Sequence, residues 1–253
     1  MPGGAGVKAG ERIEGRTLTD VEWTQAELAD TTFVGCVIED AAFASTVLEG
    51  ARFERCRLVR CRFQHADLRE TSFEDCQFAD PQAPPRFAFT RLEGAKLVRC
   101  DLTRARFEGC ELYDVRFEAC NLTGAAFSRA SFGRTFGRKV ERIAAELVDC
   151  NLELADLSGA RLPGASLARS RLREADLSGA DLEGADLTGA DLFQAIVDEA
   201  RLAGADLRGA EVSGLDLRRL ASYQDLKITA DQQFRLLDAM GIDVQPDPPE
   251  RSG

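Results

Sequence analysis

The chain has 253 residues, of which 44% are hydrophobic, 7% aromatic and 30% charged, and its formal net charge is −11. That balance suits one soluble unit or a repeat array and argues against a broad nucleic-acid-binding surface. No apolar run approaches the ~20 residues of a membrane helix, and the opening MPGGAGVKAGERIEG has no signal-peptide core, so a cytoplasmic protein is predicted.

Residues 1–10 are predicted to be a flexible start. From residue 11 the pattern has a period of five, which fits neither the 3.6 of a helix nor the 2.0 of an alternating strand. Large apolar residues recur from Ile13 through Leu18, Trp23 and Leu28 to Phe78, giving 14 units. Two residues before each centre the side chain is small, and all eight cysteines occupy this slot. No pair of them has the CxxC spacing of a zinc site, so they read as small hydrophobes in a tight interior. Two inward residues make one short side, and the remaining three must turn the chain. Glycine is frequent two residues after the centre (Gly159, Gly164, Gly179), where a turn requires positive φ. Four sides then close a square coil of 20 residues, and stacked coils bury one another's faces.

The first break is ADPQAPPR (79–86), whose three prolines cannot donate to a ladder, so a short loop leaves the coil there. A second run of 10 units extends from Phe87 to Phe132. GRTFGRKVERIA (133–144) then loses the small/large pattern and reads as a larger loop spanning 133–146. It carries Arg134, Arg138, Lys139 and Arg142 on an otherwise acidic protein. Loops that interrupt a regular scaffold carry function more often than the scaffold does. The third run gives 15 units from Leu147 to Leu217, so the repeat occupies most of 11–219 in 39 units. Ten coils at ~4.8 Å each make a rod about 50 Å long.

After Leu217, RRLASYQDLKI (218–228) reads as a connection and TADQQFRLLDAMGI (229–242) as a helix, within a C-terminal element of 220–244. Thr229 is its expected N-cap, Asp231 suits the first turn and Gly241 is the stop. Phe234, Leu237 and Met240, with Ala230 and Leu236 beside them, form a stripe that suits either capping of the last coil or a two-fold partner. Residues 245–253 read as a disordered tail.

Acid is concentrated in the last run, where 147–217 hold 14 Asp/Glu against 6 Arg. Residues 20 apart stack on one face. Asp156, Asp176 and Asp216 share one column, flanked by Asp198 and Glu199; Asp186 and Asp206 share another, and Asp181 lies on a third. Such a rod imitates the regular negative charge of a DNA duplex. Asp before the centre also suits the turn itself, so both readings stand. The only histidine, His65, sits in an outward slot with no nucleophile beside it, and no phosphate-binding motif is present. An enzyme is therefore not expected, and no cofactor or metal.

The unit A-(D/N)-L-x-x resembles the pentapeptide-repeat family. This implies an all-β solenoid, a right-handed quadrilateral β-helix with two loop excursions and a short C-terminal α-helix. GLDLRR (214–219), Gln232–Gln233, Leu236–Leu237 and Gly241–Ile242 resemble the ends of Qnr/MfpA-type topoisomerase-protecting proteins. FSRASF (127–132) and DCNL (149–152) extend that resemblance. It implies a homodimer that binds DNA gyrase or topoisomerase IV and protects it from a fluoroquinolone or natural-product poison, as resistance or self-immunity. By it, Pro81, Gln82, Pro84 and Arg86 of the first loop would touch the topoisomerase. So would Arg134, Phe136, Arg138, Lys139 and Arg142 of the second. Phe234, Leu236, Leu237, Met240 and Ile242 would form the dimer interface, and no direct nucleic-acid or membrane binding is implied. The rival reading is an adaptor rod that binds another protein and has no topoisomerase link.

Overall fold

The computed structural model describes residues 6–78, 80, 82–136 and 140–245. Pro81, Arg138, Lys139 and the expected tail beyond Gln245 lie outside the described residues, as does most of the expected flexible start; for Phe136 and Arg142 the backbone alone is described.

Four parallel pairings repeat at a spacing of one coil: Arg12 with Thr32, Thr17 with Val37, Glu22 with Ala42, and Glu27 with Val47. These are the four sides of the expected quadrilateral β-helix, called here first to fourth in that order. The first side is the longest ladder, seven strands from Arg12–Glu14 to Ala145–Val148, continued by bridges to Lys227. Inside the third side Phe43, Phe63, Phe87, Phe107 and Phe127 stack almost parallel, with successive ring centroids 4.7, 5.1, 5.0 and 4.9 Å apart. A ladder spacing near 4.8 Å is also a ring-stacking distance, so one repeat satisfies backbone and core together.

The small slot has a chemical preference beyond size. Cys56 and Cys76 Sγ donate to the carbonyls of Phe33 and Phe53, both at 3.3 Å, while Thr46 and Ser170 hydroxyls donate to Trp23 and Leu147 at 2.7 and 2.6 Å. Each of these side chains pairs a buried carbonyl from one coil earlier, which would otherwise be costly. All eight cysteines are buried and free, and burial pushes the Cys61 and Cys110 thiols up to about 12.

Every corner turns through the left-handed region. Glycine fills many corners, but among the described residues 23 non-glycine residues adopt it too, including Asp20, His65 and Leu154. The ladder holds them there: Asp20 and Leu154 N–H each donate to the next coil at 3.0 Å.

Both breaks leave the register intact. Arg62 pairs with Arg86 and Gln77 with Asp101 across the first, and Asn121 pairs with Asn151 across the second. The second break is a β-hairpin, where a loop was expected: Gly133–Phe136 pairs antiparallel with Val140–Ile143. The solenoid also outlasts Leu217. A 3₁₀ turn, Leu217–Arg219, absorbs one extra residue, and the predicted connection then forms two more sides through Arg201–Ser222 and Asp206–Lys227.

The terminal helix is shorter than expected, a 3₁₀ turn at Ala230–Gln232 followed by α-helix at Gln233–Ala239. Thr229 forms a capping box with Gln232, and Gly241, at φ 74°, ends the element. Leu236, grouped with the dimer residues by its sequence position, belongs to the core: it is buried against the last coil. No helix among the described residues is long and apolar enough to cross a membrane.

Candidate functional site

The coil geometry fixes where the two excursions emerge. The first connects the second side, at Gln77, to the third, at Arg86; the hairpin connects the fourth side, at Ser131, back to the first, at Glu146. They therefore leave diagonally opposite edges of the rod, about two coils or ~10 Å apart along its axis.

The first loop is tied down by Asp80, which the sequence reading passed over. Its Oδ1 accepts from the N–H groups of Gln82 and Ala83 at 2.7 and 3.2 Å, and Arg60 donates to Oδ2 at 3.1 Å. Arg104 donates to the Asp80 carbonyl at 3.2 Å. The N–H bonds, led by that of Gln82, and the Arg60 guanidinium hold the Asp80 carboxyl below its ordinary 3.8. Gln82 and Arg86 are exposed, Pro84 is half-buried and Pro85 is buried. In the hairpin, exposed Arg134 lies opposite Arg142 in the ladder.

Asp156, Asp176, Asp181, Asp186 and Asp206 occur at the expected registers, whereas Asp216 caps the 3₁₀ turn and no bridge joins it to Ile196. Asp156 bridges Asp176, which bridges Ile196; Asp186 bridges Asp206; and Asp181 lies on the fourth side beside Arg201. Their carboxylates also build the corners. Asp156, Asp176, Asp181, Asp186, Asp206 and Asp216 each accept from the N–H two residues on, at 3.0, 2.9, 3.3, 3.0, 3.1 and 3.0 Å. Arginines answer several of them: Asp206 pairs with Arg208 at 2.7 Å, Asp216 with Arg218 at 2.8 Å, and Asp198 with Arg219. Arg218 holds the Asp216 carboxyl down to about 2. Glu199 is an exposed corner residue.

The third side has a polarity that counting in twenties hides. Following its bridges across both insertions gives Arg62, Arg86, Arg106, Ala126, Asp156 and Asp176 in succession. One outward stripe thus changes sign along the axis. The signal was present in the sequence, but only once four residues are removed at the first break and ten at the second.

At the C-terminal end Phe234 is 57% and Ile242 45% exposed, and with Asp238 and Asp243 they line a shallow cleft. Leu237 and Met240 are half-buried. Among the described residues no group of His, Cys, Asp and Glu is arranged to hold a metal.

The structure is thus a four-sided parallel β-solenoid carrying two edge excursions. The pentapeptide-repeat profile matches residues 86–124, 110–135, 150–189 and 185–219, and the pentapeptide-repeat-region profile matches 16–82, so the chain belongs to the pentapeptide-repeat family. It is similar to full-length QnrB1, a plasmid-mediated fluoroquinolone resistance protein, at 26% identity and a TM-score of 0.67, over 92% of this chain and 100% of that one. A trypsin-treated variant of QnrB1 is similar at 26% identity and a TM-score of 0.66, over 93% of this chain and 100% of that one. No curated protein sequence matches the chain.

Proposed function

We propose that the protein binds a type II topoisomerase, DNA gyrase or topoisomerase IV, and protects it from a poison that traps its cleaved complex. The observation that carries this reading is the pair of excursions on opposite edges of an otherwise uninterrupted rod, in a chain that aligns with the whole of a fluoroquinolone resistance protein. Contacts two coils apart on opposite edges suit a partner that straddles the rod, and an enzyme that grips a DNA duplex has a channel of that kind. Gln82 and Arg86 on one edge and the basic hairpin on the other are the proposed contacts. The acidic columns supply the duplex-like charge. Phe234 and Ile242, with Leu237 and Met240 beside them, form the proposed homodimer contact.

The test is gyrase supercoiling and quinolone-induced cleavage with and without the protein. Relief of cleavage at micromolar protein is expected. Neither relief nor inhibition would leave the adaptor-rod reading in its place.

A further inference from the structure

Many arginines on the outside of the rod meet a carboxylate from a neighbouring coil. Arg57 reaches Glu39 at 2.7 Å, while Arg60 reaches Asp40, Arg99 reaches Asp75 and Arg169 reaches Asp149 as bidentate forks of 2.7–2.9 Å. Arg16, Arg52, Arg55, Arg62, Arg86 and Arg106 do not, and of these the last three stand in one column. Arg62, Arg86 and Arg106 occupy three successive levels of the third side, and among the described residues none of them forms an ion pair. Three stacked guanidiniums on a protein with 43 Asp and Glu are an anomaly that an external anion would resolve.

The adjoining corner is aromatic. Phe89 is 44% exposed and adopts φ 52°, an uncommon conformation for a bulky residue. Its ring lies 5.3 Å from that of His65, tilted by only 15°, and the Arg129 guanidinium sits 5.8 Å from its centroid. Space for the ring is made by Gly109, where a Cβ would come within 2.7 Å of it. One coil earlier the same corner carries only Ser45, leaving the stack open at the His65 end. Between the arginines and this stack runs a cleft of about 270 Å³ lined by Arg62, Gln64, Arg86, Phe89 and Glu108.

We propose that this strip binds nucleoside phosphates, with phosphate on the Arg62–Arg86–Arg106 ladder and the base on the His65–Phe89 stack. Basic groups in line beside stacked aromatics are the recognition chemistry of single-stranded nucleic acid, and a free nucleotide offers the same two groups. The strip is narrow, which is compatible with a net charge of −11, because the acid is gathered toward the other end of the rod.

Purified full-length protein is titrated, without topoisomerase, with a fluorescein-labelled oligo(dT) octamer by anisotropy and with AMP and inorganic phosphate by calorimetry. The result therefore stands apart from the protection reading. Saturable binding is expected, weakened at least about tenfold by Arg106→Glu and about fivefold by Phe89→Ala. For three phosphate contacts log K should fall with log salt at a slope of about −2. Tighter binding of the octamer identifies a strand as the source, and tighter binding of AMP a free nucleotide. Circular dichroism confirms that the variants are folded, and Arg62→Glu serves if Arg106→Glu is not. The proposal is overturned if neither probe binds at low salt, if folded variants bind as the parent does, or if inorganic phosphate binds as well as AMP.

Discussion

The buried side-chain amide of Gln232 donates to the carbonyl oxygen of Leu207 at 2.6 Å and to that of Ala210 at 2.8 Å. The Leu207 carbonyl also accepts from the Ala210 N–H at 2.9 Å, but no further coil donates to that of Ala210, so there the side chain substitutes for the missing ladder bond. Its own Oε1 accepts from the Thr229 N–H at 2.6 Å, coupling the start of the terminal helix to the end of the solenoid. Gln232→Leu should therefore destabilise the protein by about 1–3 kcal/mol, since the Ala210 carbonyl loses its donor while that of Leu207 keeps the Ala210 N–H at 2.9 Å. Chemical denaturation followed by circular dichroism measures this; an unchanged midpoint would mean that other donors serve those carbonyls.

Asp80 should govern the order of the first loop without governing the fold. In Asp80→Ala, hydrogen exchange at the amides of Gln82 and Ala83 should accelerate while the amides of the phenylalanine-lined sides keep their protection. Equal rates in the two proteins would show that the prolines alone hold the loop.

Acid should loosen the same contacts in a defined order. Asp80 and Asp216 both have folded-state pKa values below the ordinary 3.8, the latter at about 2. Their contributions are complete above the unfolded-state value and are lost as pH falls through the depressed one. Loop order and the 3₁₀ turn at Leu217–Arg219 should thus be constant from neutral pH down to about 4 and weaken only below it. Exchange or NMR titration that located the loss near pH 6 would contradict this assignment.

Replacing Asp156, Asp176, Asp186 and Asp206 by asparagine separates charge from turn geometry. Asparagine retains an oxygen for the corner N–H, so the melting temperature should hardly move. Topoisomerase affinity should fall and become less sensitive to salt. Full affinity in the quadruple variant would confine these carboxylates to the turns.

Phe234→Asp with Ile242→Asp should give a monomer by light scattering, because both side chains are exposed at the C-terminal end and neither caps the last coil. A persistent dimer would place the contact elsewhere on the chain. The eight thiols give an independent check of the interior: Ellman's reagent should find none in the native protein and all of them after denaturation.

The solenoid was legible in the sequence because its period is imposed residue by residue. A large centre, a small partner and a turn recur with little interference from tertiary context. Thr229 and Gly241 were legible for the same reason, since caps are local. What could not be read depended on register across insertions. The sign change from Arg62 to Asp176 emerges only after the loops are subtracted, and the diagonal placement of the excursions only after sides are assigned. The hairpin escaped because its strands, GRTF and VERI, have four residues each and do not alternate apolar with polar, so no period of two marks them. Leu236 was grouped with Phe234 by spacing along a helix, but the part of the helix facing the last coil is decided by the buried bonds of Gln232.

Both excursions begin and end on adjacent sides of one corner, and the strands beyond them pair as if nothing had been inserted. The span that each must bridge is therefore fixed by the coil, while its length is not, and lengthening a closed loop costs little, ~0.6 kcal/mol per doubling. The rod is in this sense a rack with interchangeable fittings. A lineage could exchange one partner for another by rewriting a single corner, with no compensating change anywhere in the core.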